Sequence, residues 1–419
     1  MKRDQVRSRA LLRGRAATAL YFLLFGATLG CWTSRIPAIK AELGLSEGLL
    51  SLALLAFALG AIAGMLGPGR LVDRWGSFRV LVPTALLEGV LLAPAAFMPS
   101  LAWLMAALFV FGLAHGTLNI AMNANAMEVQ RAWGRPIVTS FHAVYSIGGF
   151  LGSAVGGLFA QQGVSPGTTF VMVGAGVLVL ALWAIVWTLR GDAIPPADAE
   201  SEPAPGSKRV GPRSFGLLLL GGLAMCTLVG EGTAADWSAV YLHESLGSTP
   251  AIAAVAFAAF SVAMTAGRLL GDGLALHLGP VLLVRGCGVL ASAGMIAALL
   301  IGHPVAAVIG FACLGAGMSC IAPQVYAAAA QRDPSRAGAA LSLVVSLGYV
   351  GFLIGPLVIG AVSTVTGLPT ALGVPAVLIL LVVLGAPMLR PTPRSAAGTT
   401  PAEQVRETSG SGNAGAAGS

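Results

Sequence analysis

Residues 48–67 read GLLSLALLAFALGAIAGMLG, a run without a charged side chain, and Pro68-Gly69-Arg70-Leu71-Val72-Asp73-Arg74-Trp75-Gly76 follows at once. A hydrocarbon core about 30 Å thick requires about 20 apolar residues in a helix. The proline, the glycines and the sudden charge mark where the chain leaves that core. A transmembrane strand would alternate apolar and polar residues, and this stretch does not. It predicts a membrane-spanning helix ending in a short charged loop.

Outward from this stretch, similar apolar runs recur to give twelve candidate helices, at 16–35, 48–67, 80–98, 101–127, 137–160, 168–189, 214–235, 250–271, 281–301, 304–329, 338–361 and 370–389. Met98-Pro99-Ser100 and Gly302-His303-Pro304 are connections short enough to join antiparallel neighbours. The composition agrees: 56% of the 419 residues are hydrophobic and 10% charged, against about 25% charged in soluble domains. The expected fold is an all-α integral membrane protein with 12 transmembrane helices. The organisation reads as a basic N-terminus at 1–15, a six-helix half at 16–189, a linker at 190–213, a second six-helix half at 214–389 and a tail at 390–419. The linker is rich in Pro, Ala and acidic residues and the tail in Gly, Ser, Ala and Thr, so both are expected to be disordered.

Orientation follows from the basic residues, which collect in cytoplasmic loops. With the N-terminus inside, 22 of the 24 Lys and Arg residues fall on the cytoplasmic side, Arg268 and Arg285 among them; Arg35 and Lys40 fall outside. Both termini are then cytoplasmic, and the net charge of +7 is a topology signal rather than a mark of nucleic-acid binding. The basic stretch before Ala16 has the look of a signal-peptide n-region, but no small-x-small cleavage site precedes Arg35, so it reads as a retained first helix. Cys31, Cys226, Cys287, Cys313 and Cys320 lie singly inside apolar runs, which implies no metal site and no disulfide framework. No P-loop is present, so ATP-driven work within this polypeptide, and any cofactor, are not expected.

The two sets of six carry an internal repeat at an offset of 203 residues. Leu43-Gly44 falls on Leu246-Gly247, Gly76 on Gly279, Gly112 on Gly315, and Gly148, Gly152 and Gly157 on Gly351, Gly355 and Gly360. Six-helix halves in parallel repeat are an architecture that places a binding site between them near the midplane.

The loop Gly69-Arg70-Leu71-Val72-Asp73-Arg74-Trp75-Gly76-Ser77-Phe78-Arg79 resembles the signature between helices two and three of the major facilitator superfamily. Asp73, Arg74, Gly76 and Arg79 fit it, while Ser77 and Phe78 stand where a basic pair is usual. A finer resemblance, to the rhizopine-transporter-like (MosC-type) branch, is carried by three strings. They are Trp32-Thr33-Ser34-Arg35-Ile36-Pro37, Ser140-Phe141-His142 and Gly230-Glu231-Gly232-Thr233-Ala234-Ala235-Asp236-Trp237-Ser238. The resemblance implies two rocking halves and a secondary transporter of the cell membrane, a symporter or antiporter. It also implies that Gly69, Asp73, Arg74, Gly76 and Arg79 form a cytoplasmic gate, with Asp73 as its latch. The alternative is that Arg74 and Arg79 only enforce topology.

Intramembrane ionisable residues are costly and mark candidate sites. Glu231 is read as the proton-coupling acid or as a structural partner of Arg35, and Glu88 as a second coupling candidate or a local pair. His115, Asn119 and Asn123 recur every fourth residue along one side of a helix, which lines a cavity or bonds to neighbouring helices. The absence of an arginine there counts against the drug–proton antiporter pattern. Asp236 and Trp237 are placed at the outer boundary, Trp237 as an interfacial anchor or as the lip of an external gate. Trp32, Arg35, His142, Tyr145, Gln324, Tyr326 and Tyr349 complete the cavity candidates, a mix of rings, hydroxyls and amides suited to a polar organic ligand. Gly148, Gly152, Gly156, Gly351, Gly355 and Pro356 are read as close helix packing. The string from Gly152 to Gly157 resembles the family's antiporter motif, with Ser153 in place of a proline.

The expectation is a proton-coupled secondary transporter of a small organic solute, leaning to uptake of a sugar-like or polar metabolite. Its partners are that small molecule and the bilayer, with no nucleic acid and a monomeric chain. Export of a metabolite or drug is the alternative, and a non-transporting membrane sensor on the same scaffold is the competing class. A membrane enzyme is disfavoured because the five histidines are scattered.

Overall fold

The computed structural model describes residues 2–66, 69–134, 137–189, 214–332 and 337–390. The linker at 190–213 and the tail beyond Arg390 lie outside the described residues, as does the side chain of Asp73. The described residues form no strand. Twelve helices are long and apolar enough to cross a membrane. The first half holds α1 (Arg9–Glu42), α2 (Glu47–Leu66), α3 (Ser77–Phe97), α4 (Leu101–Trp133), α5 (Ser140–Gln161) and α6 (Pro166–Ile185). The second holds α7 (Phe215–Ser245), α8 (Pro250–Gly271), α9 (Gly273–Ile301), α10 (Pro304–Arg332), α11 (Leu343–Thr366) and α12 (Leu368–Leu389).

Several helices outlast the apolar runs that announced them. The helix containing α1 starts at Lys2, so no break separates a basic segment from the first span. It runs on to Glu42, α4 to Trp133 and α7 to Ser245. Arg35 and Lys40, Glu128 and Arg131, and Asp236 and Glu244 ended the apolar runs but not the helices. Polar residues interrupt hydropathy without breaking backbone hydrogen bonds, so these helices stop only at turn residues. Ser165 caps α6 by accepting from the Thr168 amide at 3.1 Å, with Pro166 at the first helical position. Thr249 does the same for α8 ahead of Pro250. Gly134 and Gly302 end α4 and α9 in the left-handed conformation.

The repeat is visible in the backbone. Gly76, before α3, has φ 82° and ψ 158°; Gly279, within α9, has φ 72° and ψ 163°. Gly44 and Gly247 turn at φ 59° and 65°. It is equally visible in packing, where small residues let helix backbones touch. In the first half a side chain at Gly112 on α4 would strike the Phe57 carbonyl of α2. In the second, one at Gly315 on α10 would strike the Phe260 carbonyl of α8. Gly148 and Gly152 press α5 onto the α1 carbonyls of Leu23 and Ala27, and Gly351 presses α11 onto the Met225 carbonyl of α7. Gly156 lies against Ser34, and Gly355 against Val229.

The halves meet at the end of the bundle away from the arginine-rich loops. Gly157 of α5 rests on Ala254 of α8, and Gly360 of α11 rests on Ser51 of α2. Advancing 157 and 51 by 203 gives 360 and 254, so the two contacts exchange under the pseudo-two-fold. The Ser153 hydroxyl donates to the Ala254 carbonyl at 2.8 Å, and Lys40 of α1 bonds Glu244 of α7. Toward the arginine-rich end the halves part, and a cavity reaches Met65, Val138 and Gly271 in the last turns of the membrane region.

The loop between α2 and α3 has a fixed point at its end. Ser77, fully buried, donates to Glu128 Oε2 of α4 at 2.7 Å. Glu128 also accepts from Asn125, whose Oδ1 takes the Thr18 hydroxyl of α1 at 2.8 Å. Ser77, read from sequence only as a departure from the usual pattern, thus ties α3 and α4 together beside the loop.

Candidate functional site

The cavity lies between the halves and has a volume of about 340 Å³. Its α1 and α2 wall is apolar, with Phe25, Leu29, Phe57, Ile62 and Met65. Polar groups come from α4, α5 and the second half: His115, Asn119, His142, Tyr145, Glu231, Arg268, Tyr326 and Tyr349. An adjoining space of about 350 Å³ shares His142, Arg268 and Tyr326 and adds Gln324. Seven of the residues singled out from sequence therefore line one space, and Gln324 lines its extension.

Glu231 stands in that wall, with Oε1 3.9 Å from Arg268 Nη2. The two side chains are 31% and 26% exposed, so both face open space rather than packed protein. Arg268 was counted among the cytoplasmic arginines that set topology; the structure places it in the cavity. The reason is length: the chain does not turn until Gly279, so Arg268 is still inside the bundle. A legible signal existed, since Ser261, Thr265 and Arg268 put polar groups on one side of an otherwise apolar α8.

The pairing of Glu231 with Arg35 does not form. Both helices end on the same side, and at 1.5 Å per residue Glu231 is about 21 Å below the end of α7 while Arg35 is about 10 Å below that of α1. Arg35 is buried and donates through Nη2 to the Val164 carbonyl. Trp237 is fully buried, which removes the interfacial-anchor reading, because α7 continues to Ser245 and leaves the indole well inside the bundle. Asp236 beside it is half-buried. Trp32 is buried against Phe170, ring centroids 6.0 Å apart. Among the described residues, Trp32, Arg35, Asn123, Asp236 and Trp237 are not cavity walls; Asn123 instead donates to the Asn119 carbonyl at 2.8 Å.

Behind the cavity sits a second polar cluster. Glu88 of α3 is fully buried. Its Oε1 takes the Thr28 hydroxyl of α1 at 2.7 Å and lies 2.7 Å from His115 Nδ1 of α4. The His115 ring stacks on Phe25 at 3.8 Å between centroids. Glu88 therefore meets the cavity only through His115, a link that sequence spacing could not reveal because the two residues lie on different helices. Among the described residues no group of His, Cys, Asp and Glu is arranged to hold a metal ion.

Two pseudo-symmetric six-helix halves around a central cavity are the architecture of a membrane transporter. The chain belongs to the Major Facilitator Superfamily, whose profile matches residues 18–334 and 219–413. It is a multi-pass transporter and not an enzyme. It is 32% identical to an uncharacterised MFS-type transporter of Yersinia pestis over 89% of this chain and 94% of that one. It is 33% identical to an uncharacterised transporter, y4wD, of Sinorhizobium fredii over 91% and 100%, and 30% identical to the membrane protein MosC of Rhizobium meliloti over 85% of each chain. Among solved structures it is similar in fold to a bacterial homolog of the human lysosomal transporter Spinster, in an inward-facing, unoccupied conformation (TM-score 0.71, 17% identity, 92% of this chain and 99% of that one). The nucleoside transporter NupG (TM-score 0.68, 14% identity, 91% and 98%) and a D-xylose-proton symporter (0.67, 13%, 92% and 98%) share the fold as well.

Proposed function

We propose that this chain is a proton-coupled secondary transporter of the cytoplasmic membrane that takes up a small polar organic solute by rocking of its two halves. The carrying observation is Glu231, an acid in the wall of a cavity that is sealed at one end by contacts between the halves and reaches the other. With the arginine-rich loops inside the cell, this conformation faces inward and both termini are cytoplasmic. A carboxylate at membrane depth that faces an open cavity can pick up a proton on one side of the membrane and release it on the other. The aromatic and hydroxyl lining fits a polar organic ligand of modest size.

The test is counterflow in proteoliposomes, followed by uptake driven by an imposed pH gradient. Wild type should show both. Glu231→Gln should keep counterflow and lose the response to the gradient. A variant that still responds would remove Glu231 from coupling, and absence of counterflow with any solute of a broad polar panel would remove the transporter reading.

A further inference from the structure

We infer that the cavity takes a small organic carboxylate together with one proton, the carboxylate replacing Glu231 at Arg268 and the proton passing onto Glu231. This rests on the transporter reading above and names the substrate class of its cavity.

The starting observation is how little holds Arg268. Among the described residues its nearest acid oxygen is 3.9 Å away, whereas charge-assisted N–H···O bonds close to about 2.7–2.9 Å. Among the described residues its guanidinium makes no hydrogen bond. Arg332, by contrast, donates to the Met388 carbonyl at 2.7 Å, and Arg35 to that of Val164. Arg268 carries five N–H donors in a planar fork suited to a carboxylate, and it borders both adjoining cavities.

The pair can be opened in only one direction. A cationic ligand would take Glu231 and leave Arg268 alone, and arginine does not give up its proton. An isolated guanidinium in a membrane cavity is costly. An anionic ligand would take Arg268 and leave Glu231 alone, and a carboxylate can be neutralised by one proton from the water the cavity opens to. Before binding, the pair is neutral. Afterwards the Arg268–carboxylate pair is neutral and Glu231 is a neutral acid. The cavity thus admits anion and proton together without a change in charge, a condition for crossing a low-dielectric interior. The other titratable groups lining this cavity are His142 and Tyr145 on α5, Tyr326 on α10, Tyr349 on α11 and His115 on α4. Phe25, Leu29 and Phe57 face it from α1 and α2 with no charge, a wall for the apolar part of an organic acid.

Binding and protonation are read without transport. Purified protein in nanodiscs is titrated with two matched series: benzoate, benzamide and benzylamine; and gluconate, glucose and glucosamine. Affinity comes from calorimetry, and infrared difference spectra read the protonated-carboxyl band. In at least one series the carboxylate should bind about tenfold or more tightly than its neutral and amine partners. It should raise a protonated-carboxyl band that is missing in Glu231→Gln. Arg268→Gln should weaken the carboxylate about tenfold or more, and Arg268→Lys, which keeps the charge without the fork, should lose less. The inference is overturned if neither carboxylate binds better than its partners, if no such band appears, or if Arg268→Gln, still folded by its melting curve, binds the carboxylate unchanged. Counterflow of a neutral solute beside such a result would leave the transporter standing without the carboxylate. Carboxylate binding without any counterflow would do the reverse.

Discussion

Lys40 of α1 is bonded to Glu244 of α7, joining the two halves where they are shut, and Glu47 of α2 stands 3.5 Å from the same ammonium. Lys40 was expected outside, near the first external turn, and it is buried, with α1 running past it to Glu42. Under the proposed rocking of the halves the pair would exist only while this end is closed, and so would favour that conformation. Glu244 is 29% exposed, which screens the attraction to about 1 kcal/mol. That amount shifts a two-state population about fivefold. Lys40→Met should lengthen the distance between spin labels at Ser46 and Ser245 in a cysteine-free background. An unchanged distance distribution would show that the pair does not hold the closed end.

The exchanged contacts Gly157–Ala254 and Gly360–Ser51 predict a matched response. Val at either glycine drives a side chain into the opposite half. Overpacking costs about 1–3 kcal/mol, but here opening this end relieves it. Gly157→Val and Gly360→Val should therefore both favour the conformation closed at the arginine-rich end, with near-wild-type melting. Gly152→Val meets the Ala27 carbonyl inside one half, where no motion relieves it, and should melt well below wild type. The labels at Ser46 and Ser245 and a thermal melt separate the cases, and equal melting of all three would contradict the assignment.

How far the sequence reached depended on what each feature needs. Spans, repeat and glycine packing were legible because apolar length and backbone approach are local properties, and Gly112, Gly315, Gly157 and Gly360 all lie at contacts the structure makes. Depth was not legible. Arg35, Asp236 and Trp237 were set too far out, and Arg268 was counted with the cytoplasmic basic residues, because hydropathy ends where polarity begins while a helix ends where a turn begins. Partnership across helices was also hidden. Glu88 and His115 were both noticed, yet nothing in their spacing joins α3 to α4, and Glu231 was offered Arg35 instead of Arg268.

Gly76 and Gly279 share a backbone conformation that only glycine adopts freely, and nothing lies within 4 Å of where a side chain would begin at either. The cost of alanine is therefore conformational alone, about 1–3 kcal/mol at each position. Gly76→Ala and Gly279→Ala should lower the melting temperature by similar amounts, and the double variant by their sum, since the sites lie in different halves. Alanine without effect at either position would mean that the turn relaxes to another conformation.

Glu88 and Glu231 are both acids inside the bundle, and removing them should have opposite emphasis. Glu88 is fully buried, accepts from the Thr28 hydroxyl and lies 2.7 Å from His115 Nδ1. Glu88→Ala strands both partners and opens a void, at about 3 kcal/mol or more. Glu231 faces the cavity, and its one ion pair is long and partly solvated. Glu231→Ala should cost about 1 kcal/mol or less in stability while abolishing the response to a pH gradient. Melting of the two variants in one detergent, beside uptake in proteoliposomes, tests the ranking. If Glu231→Ala proves the less stable protein, Glu231 is a structural member of the bundle, and the coupling role would have to pass to Glu88, which reaches the cavity through His115.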